Sequence, residues 1–243
     1  MEPKKGRREM KKFELTTESI TNEAGKKLFR IKALIDFGDV KAGELGGYVE
    51  KEENVSQADN AWVSGDAEVF GNARVCGDAK VYGNAEVFGN AKVYGNAKVY
   101  GNARVYGDAR VCGDAWVCGN AWVSGNARVY GNAWVCGNAR VCGNAWVCGN
   151  AWVSGNARVC GNAWVSGDAD YALVQGFGTE FRCTTFYRGK NKKIMVNCGC
   201  FHGDLEEFRK QVKETRSGKI AKEYLMIADL MKYHFASEDS SDE

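Results

Sequence analysis

Valine returns every sixth residue through the middle of this chain, and an alanine stands two positions before each one. From Gly65 to Ser166 the sequence reads Gly-Asn/Asp-Ala-x-Val-x seventeen times without an insertion. Asp59 to Ser64 (DNAWVS) adds an eighteenth, imperfect copy. Residues two apart on a strand share a face, so Ala and Val point the same way and the residue between them points the other. A period of six with this composition predicts a hexapeptide parallel β-helix. Val63, Val69, Val75 and their successors through Val165 fill its axis. The small Ala61, Ala67, Ala73 and onward let three short strands close around it. Gly and Asn/Asp turn the corners, because they reach positive φ most readily. Three hexads make one triangular coil, so eighteen make about six coils, a prism roughly 29 Å long at about 4.8 Å per coil. Its two ends need caps.

Counting hexads in threes sorts the outward residues onto three faces. One carries Trp62, Lys80, Lys98, Trp116, Trp134 and Trp152. The second carries Glu68, Glu86, Arg104, Trp122, Arg140 and Arg158. The third carries Arg74, Lys92, Arg110, Arg128, Trp146 and Trp164. Trp116, Trp134 and Trp152 are expected to stack on successive coils, an aromatic patch of a size uncommon on a soluble monomer. Three roles compete for it: stacking that stabilises a flat β face, self-association, and a partner surface. Trp and Arg are enriched at binding hot spots, which favours a protein partner over a small molecule.

The periodicity changes outside the repeat. Phe13–Thr17 and Lys27–Phe37 alternate as strands, joined by a hairpin connection at Asn22–Gly25. Gly46-Gly-Tyr-Val49 leads into the first coil. Residues 13–58 are thus expected to form an N-terminal β cap, with 1–12 a disordered basic tail. The repeat region spans 59–170. Beyond it, Glu180–Tyr187 and Lys193–Cys198 read as strands, and Asp204–Thr215 as a helix with Asp204 as N-cap. Ala221–Phe235 is a second amphipathic helix. Residues 171–236 are expected to be a small α+β domain, and 237–243 a disordered acidic tail.

Charge and cysteine narrow the function. Lys+Arg number 33 against 31 Asp+Glu. Within residues 59–166 the count is nine against seven. That balance argues against nucleic acid as a partner. No apolar run approaches membrane-spanning length, so no membrane association is expected. The charged start of the chain does not resemble a secretory signal, and a cytoplasmic location is expected. Seven of the ten Cys (76, 112, 118, 136, 142, 148, 160) share one repeat position with Tyr, Phe and Ser. A site that accepts all four is not a disulfide framework, and reduced thiols are expected.

Candidate chemistry is sparse. Cys183, Cys198, Cys200 and His202 are weak candidates for a zinc site. Cys198 and Cys200 lack the usual two-residue spacing, and one intervening residue on a strand would put both thiols on one face. The repeat holds no His and no inserted loop, which argues against the catalytic His of hexapeptide acyltransferases and against a carbonic-anhydrase-like metal site. Residues 57–170 hold no Thr, against an ice-binding ladder. No cofactor and no catalytic residue are expected. The candidate binding residues are Trp116, Trp122, Trp134, Trp146, Trp152, Trp164, Arg128, Arg140 and Arg158.

Three stretches carry a family resemblance: Phe29-Arg-Ile-Lys-Ala-Leu-Ile-Asp-Phe-Gly-Asp-Val40 followed by Gly46-Gly-Tyr-Val-Glu50, the repeat itself, and Cys198-Gly-Cys-Phe-His-Gly-Asp-Leu-Glu-Glu-Phe208 with Ala221-Lys-Glu-Tyr224. Together they resemble phage and prophage hexapeptide-repeat proteins of unknown function, whose C-terminal module is shared with other phage repeat proteins. The lead-in is also similar to a bacterial hexapeptide protein labelled an acyltransferase. The resemblance implies a left-handed coil and action inside a bacterium. The expected fold is mainly β: a left-handed triangular parallel β-helix of about six coils with an N-terminal β cap and a small C-terminal α+β domain. The expected function is a non-enzymatic, phage-encoded binding protein that engages a host protein, such as a defence component, with a homo-oligomer possible. The alternatives are an acyltransferase-like enzyme using His202, a self-assembling structural protein, and a sponge for nucleotide signals held by Arg128, Arg140 and Arg158.

Overall fold

The computed structural model describes residues 11–179 and 181–236, without the side chain of Arg182. Two antiparallel strands, β1 (Phe13–Thr21) and β2 (Lys27–Ala33), lead to β3 (Leu45–Val49). Eighteen two-residue strands follow, β4 (Trp62–Val63) to β21 (Trp164–Val165). Each pairs in parallel with the strand one coil away: Lys98 with Trp116, Arg104 with Trp122, Arg110 with Arg128. The three resulting faces are those that the six-residue count assigns.

The prism has about seven turns rather than six, because the lead-in contributes one. β3 pairs in parallel with Glu68–Val69, placing Tyr48 against Glu68 and Val49 against Val69. Val55 bridges Val75. Gly47 therefore stands where Ala stands in the repeat. A Cβ there would lie 2.6 Å from the Ala67 carbonyl oxygen and 2.8 Å from the Val63 side chain, so only glycine fits. At the corners the repeat glycines carry the left-handed backbone, with φ from +61° to +72° between Gly65 and Gly161. The Asn/Asp beside them does not take positive φ. Asp59, which replaces Gly in the first copy, does, at φ +59°.

One apolar cluster runs from Phe13 through every repeat Ala and Val to Val165 and ends on Tyr187. Along the corners Asn side chains form ladders. Asn84 donates to Asn102, Asn102 to Asn120, Asn120 to Asn138 and Asn138 to Asn156, at 3.0–3.2 Å. Buried backbone groups of the stacked coils pair with one another, and the two ends need other partners.

At the N-terminal end the partner is Lys12. Its ammonium donates to the carbonyls of Ala58 and Asp59 (3.3 Å each) and of Ala61 (2.8 Å). Asn54 donates to the carbonyls of Gly71 (3.2 Å) and Ala73 (2.9 Å). Lys12, placed by the sequence in a tail, is buried. The rest of the expected tail, 1–10, lies outside the described residues, as does 237–243. Trp62, expected to face outward, is also buried here, with Phe13 and Phe37 at 6.2 and 5.3 Å.

The C-terminal module closes the other end. It holds four antiparallel strands, β22 (Tyr171–Phe177), β23 (Arg182–Arg188), β24 (Ile194–Cys198) and β25 (Phe201–Asp204), in that order. Helices α1 (Leu205–Thr215) and α2 (Gly218–His234) cover one side. β22 and β25 were not legible in the sequence, and α2 begins three residues earlier than its apolar pattern. Asp204 caps α1 as expected, accepting from the N–H groups of Glu206 and Glu207. Alternation along β23 sends Phe186 into the helical core and Tyr187 into the prism. Thr185, Tyr187 and Asn197 thereby reach the last coil. Arg158 N–H donates to Thr185 Oγ1 (3.0 Å), and its carbonyl accepts from Asn197 Nδ2 (2.8 Å). Tyr187 donates to the Cys160 carbonyl at 3.0 Å. Trp152 N–H donates to Asp168 (2.8 Å), and the Trp152 carbonyl accepts from Tyr171 (2.6 Å).

Candidate functional site

The candidate residues fall on three faces with different surroundings. On the first, Trp116 and Trp134 stack at 4.6 Å and 8°, and Trp134 meets Trp152 at 5.6 Å with a 57° tilt. Lys98 continues the column over Trp116 at 4.6 Å. Trp134 is 37% exposed and Trp152 51%. Trp152 Nε1 donates to Cys136 Sγ at 3.0 Å, which fixes the tilt.

On the third face Trp146 meets Trp164 at 5.1 Å. Two cations cover Trp146: Arg128 at 5.0 Å and Lys190 of the β23–β24 turn at 4.4 Å. Arg128 therefore does not join the other two candidate arginines.

The second face differs because the C-terminal module overhangs it. Trp122, Arg140 and Arg158 rise on successive coils beside the Asn120–Asn138–Asn156 ladder. Arg140 lies over the Trp122 ring at 4.6 Å. Gln175, Phe181, Cys183 and Gly199 close the other side of a cleft of about 540 Å³. The sequence placed three of these residues on one face. It could not place the module residues, which belong to no shared periodicity.

The cysteines need two corrections. Cys142 and Cys160 form a disulfide, so the reduced state expected for all repeat cysteines fails for this pair. Register permits the bridge: residues eighteen apart share a corner of adjacent coils, and these two have Cα atoms 4.6 Å apart, within the span a disulfide bridges, although Cys118 and Cys136, also eighteen apart, are free thiols. The other eight are free thiols. Burial raises the Cys118 and Cys183 thiols above the ordinary range. The second correction concerns the weak zinc set. Cys198 and Cys200 do not share a strand face, because Cys198 pairs with Phe201 and Gly199-Cys200 forms the hairpin turn, with Gly199 at φ +62°. Cys183 faces the prism and contacts the Asn156 carbonyl. Cys198 packs on the helical side. Among the described residues no three His, Cys, Asp or Glu converge on a metal-sized site.

His202 lies at the cap. Its Nε2 is 3.1 Å from the Tyr187 hydroxyl. That hydroxyl already donates to the Cys160 carbonyl and accepts from Asn197, so Nε2 is the donor in this contact. Burial pushes the Tyr187 hydroxyl up to about 12, which keeps it protonated at neutral pH.

The chain is similar to the YdcK beta solenoid repeat. Residues 97–113, 103–119, 121–137, 133–149, 139–155 and 151–167 match that family. The matches lie in the later coils, where all six outward Trp and Arg140 and Arg158 stand. They leave out the N-terminal cap and the C-terminal module. No curated protein matches the chain. The repeat match and the coil geometry support a repeat β-helix protein. Among the described residues no helix is long and apolar enough to cross a membrane.

Proposed function

We propose that this is a non-enzymatic binding protein whose Trp116–Trp134–Trp152 face engages a protein partner. The observation that carries the reading is the exposure of Trp134 and Trp152, 37% and 51%, on a backbone fixed by coil-to-coil hydrogen bonds. A rigid surface of large aromatics loses little conformational freedom on association, and Trp dominates the centres of protein interfaces. Following the sequence resemblance, the protein is phage-encoded, has the left-handed coil of its hexapeptide relatives, and acts in the bacterial cytoplasm on a host protein such as a defence component.

The test is capture from bacterial lysate by the wild type beside the Trp134→Ala/Trp152→Ala double variant, with matched thermal melts. A single stoichiometric host protein retained by the wild type and lost by the variant supports the reading. Equal capture by both removes this face from it. If sedimentation instead shows a wild-type oligomer that the variant dissociates, the partner is a second copy of the chain.

A further inference from the structure

We propose that the cleft between the second prism face and the C-terminal module binds a nucleotide, with Arg140 and Arg158 on the phosphate and Phe181 beside the base. This goes beyond the protein-partner reading and uses a different face.

The electrostatics point first to an anion. Arg140 and Arg158 are ladder neighbours on adjacent coils, and like charges placed opposite one another on a sheet destabilise it. Lower in the same column the charge is matched within the chain, where Arg104 meets Glu86 at 2.7 Å. Among the described residues neither Arg140 nor Arg158 has a carboxylate partner. Two guanidinium forks one strand spacing apart suit the oxygens of a phosphate or pyrophosphate.

The Asn ladder adds donors at the same place. Each Asn donates to the next coil, and Asn156, the last, accepts from Asn138 at 3.1 Å. Asn156 Nδ2 finds no acceptor among the described residues. Among the described residues its amide hydrogens are thus unclaimed on the cleft wall that Arg158 shares.

The aromatic residues argue for a ligand with a planar ring rather than a bare phosphate. Trp122 floors the cleft, held between Arg140 at 4.6 Å and Arg104 at 5.9 Å on the neighbouring coils, so the ring left open to a base is Phe181. Phe181 stands at the opposite wall, 66% exposed and at φ +48°, a left-handed conformation that a bulky L-residue rarely adopts. An exposed aromatic held at a strained position is a feature of ligand clamps. Stacking on aromatic rings is the way proteins hold nucleobases without reading their edges. A volume of about 540 Å³ falls in the range of small-molecule sites.

Isothermal titration of the full chain tests this with adenosine and guanosine mono- and triphosphates, a cyclic dinucleotide, inorganic phosphate and a short single-stranded RNA. At least one nucleotide is expected to bind and to quench Trp fluorescence. Arg140→Gln and Arg158→Gln are each expected to weaken it about tenfold or more with unchanged thermal melts. Trp122→Phe should abolish the quench. The Trp134→Ala/Trp152→Ala variant should bind as the wild type does, so that loss of the partner face and loss of the cleft are distinguishable. The proposal is overturned if no nucleotide binds, or if binding survives both arginine substitutions. It is equally overturned if inorganic phosphate binds as tightly as every nucleotide, or if the RNA binds more tightly than all of them.

Discussion

At the N-terminal end of the prism one lysine reaches three carbonyls, beside the two that Asn54 takes. Lys12 satisfies the carbonyls of Ala58, Asp59 and Ala61 while its ammonium sits over the ring of Phe37, 4.7 Å from the centroid. Burial opposes the charge and lowers its pKa from 10.5 to about 8, with Asp59 and Asp78 acting in the other direction. Between about pH 8 and 10.5 the unfolded chain therefore binds this proton more strongly than the folded one. Stability from this group rises with pH across that window and is lost again as pH falls to 8. Denaturant midpoints of the wild type and Lys12→Met, followed across the window, should show a rising difference in favour of the wild type. A constant difference would mean that Lys12 titrates as an exposed lysine. Comparing the pair cancels the tyrosines and cysteines whose burial raises them, such as Tyr187 and Cys118.

At the scale of the coil, stacking rests on glycine as much as on valine. A Cβ on Gly119 would sit 3.0 Å from both the nitrogen and the carbonyl oxygen of Gly137 on the next coil, at φ +67°. Gly155 has the same kind of backbone, φ +64°, but nothing within 4 Å. Both Ala substitutions cost the left-handed penalty of about 1–2 kcal/mol. Gly119→Ala must also push two coils apart against the corner hydrogen bond from Asn120 to Gly137 (2.7 Å). Chemical denaturation should show a larger loss for Gly119→Ala than for Gly155→Ala. Equal losses would refute close coil contact as the reason for glycine at the corner.

The whole molecule is a column closed at both ends, and the closures differ in chemistry. The N-terminal end presents carbonyls and meets an ammonium and an amide. The C-terminal end presents both N–H and carbonyl groups of Trp152 and Arg158, and meets Asp168, Tyr171, Thr185 and Asn197. Without the module, three parallel sheet edges would be exposed, a surface that templates further pairing. A chain ended at Gly167 is expected to associate in a concentration-dependent way in sedimentation, whereas the full chain sediments without that end-to-end contact. A monomeric truncated prism with an unchanged melt would show that the module is not a cap.

Much of this architecture was legible in residue order alone. A six-residue period with Ala and Val on one side dictates the coil, the axis and the membership of each face. It does so because every hexad repeats the same local geometry and register follows by counting. The same counting places Cys142 over Cys160, yet residue chemistry at that position, shared with Tyr, Phe and Ser, pointed away from a bridge. What the periodicity could not supply lies where the chain stops repeating. The seventh turn depends on Gly46 and Gly47 fitting where no Cβ is tolerated. The burial of Trp62 depends on the hairpin folded over it. β22 and β25 form because they pair with β23 and β24, and their own patterns are too weak to announce them. The cleft needs both parts of the molecule: the sequence alone aligns Trp122, Arg140 and Arg158, and only the docking of the module brings Phe181, Gln175 and Cys183 across from them. Local repetition determines a periodic structure, whereas contacts between unrelated segments are set by packing that no local pattern encodes.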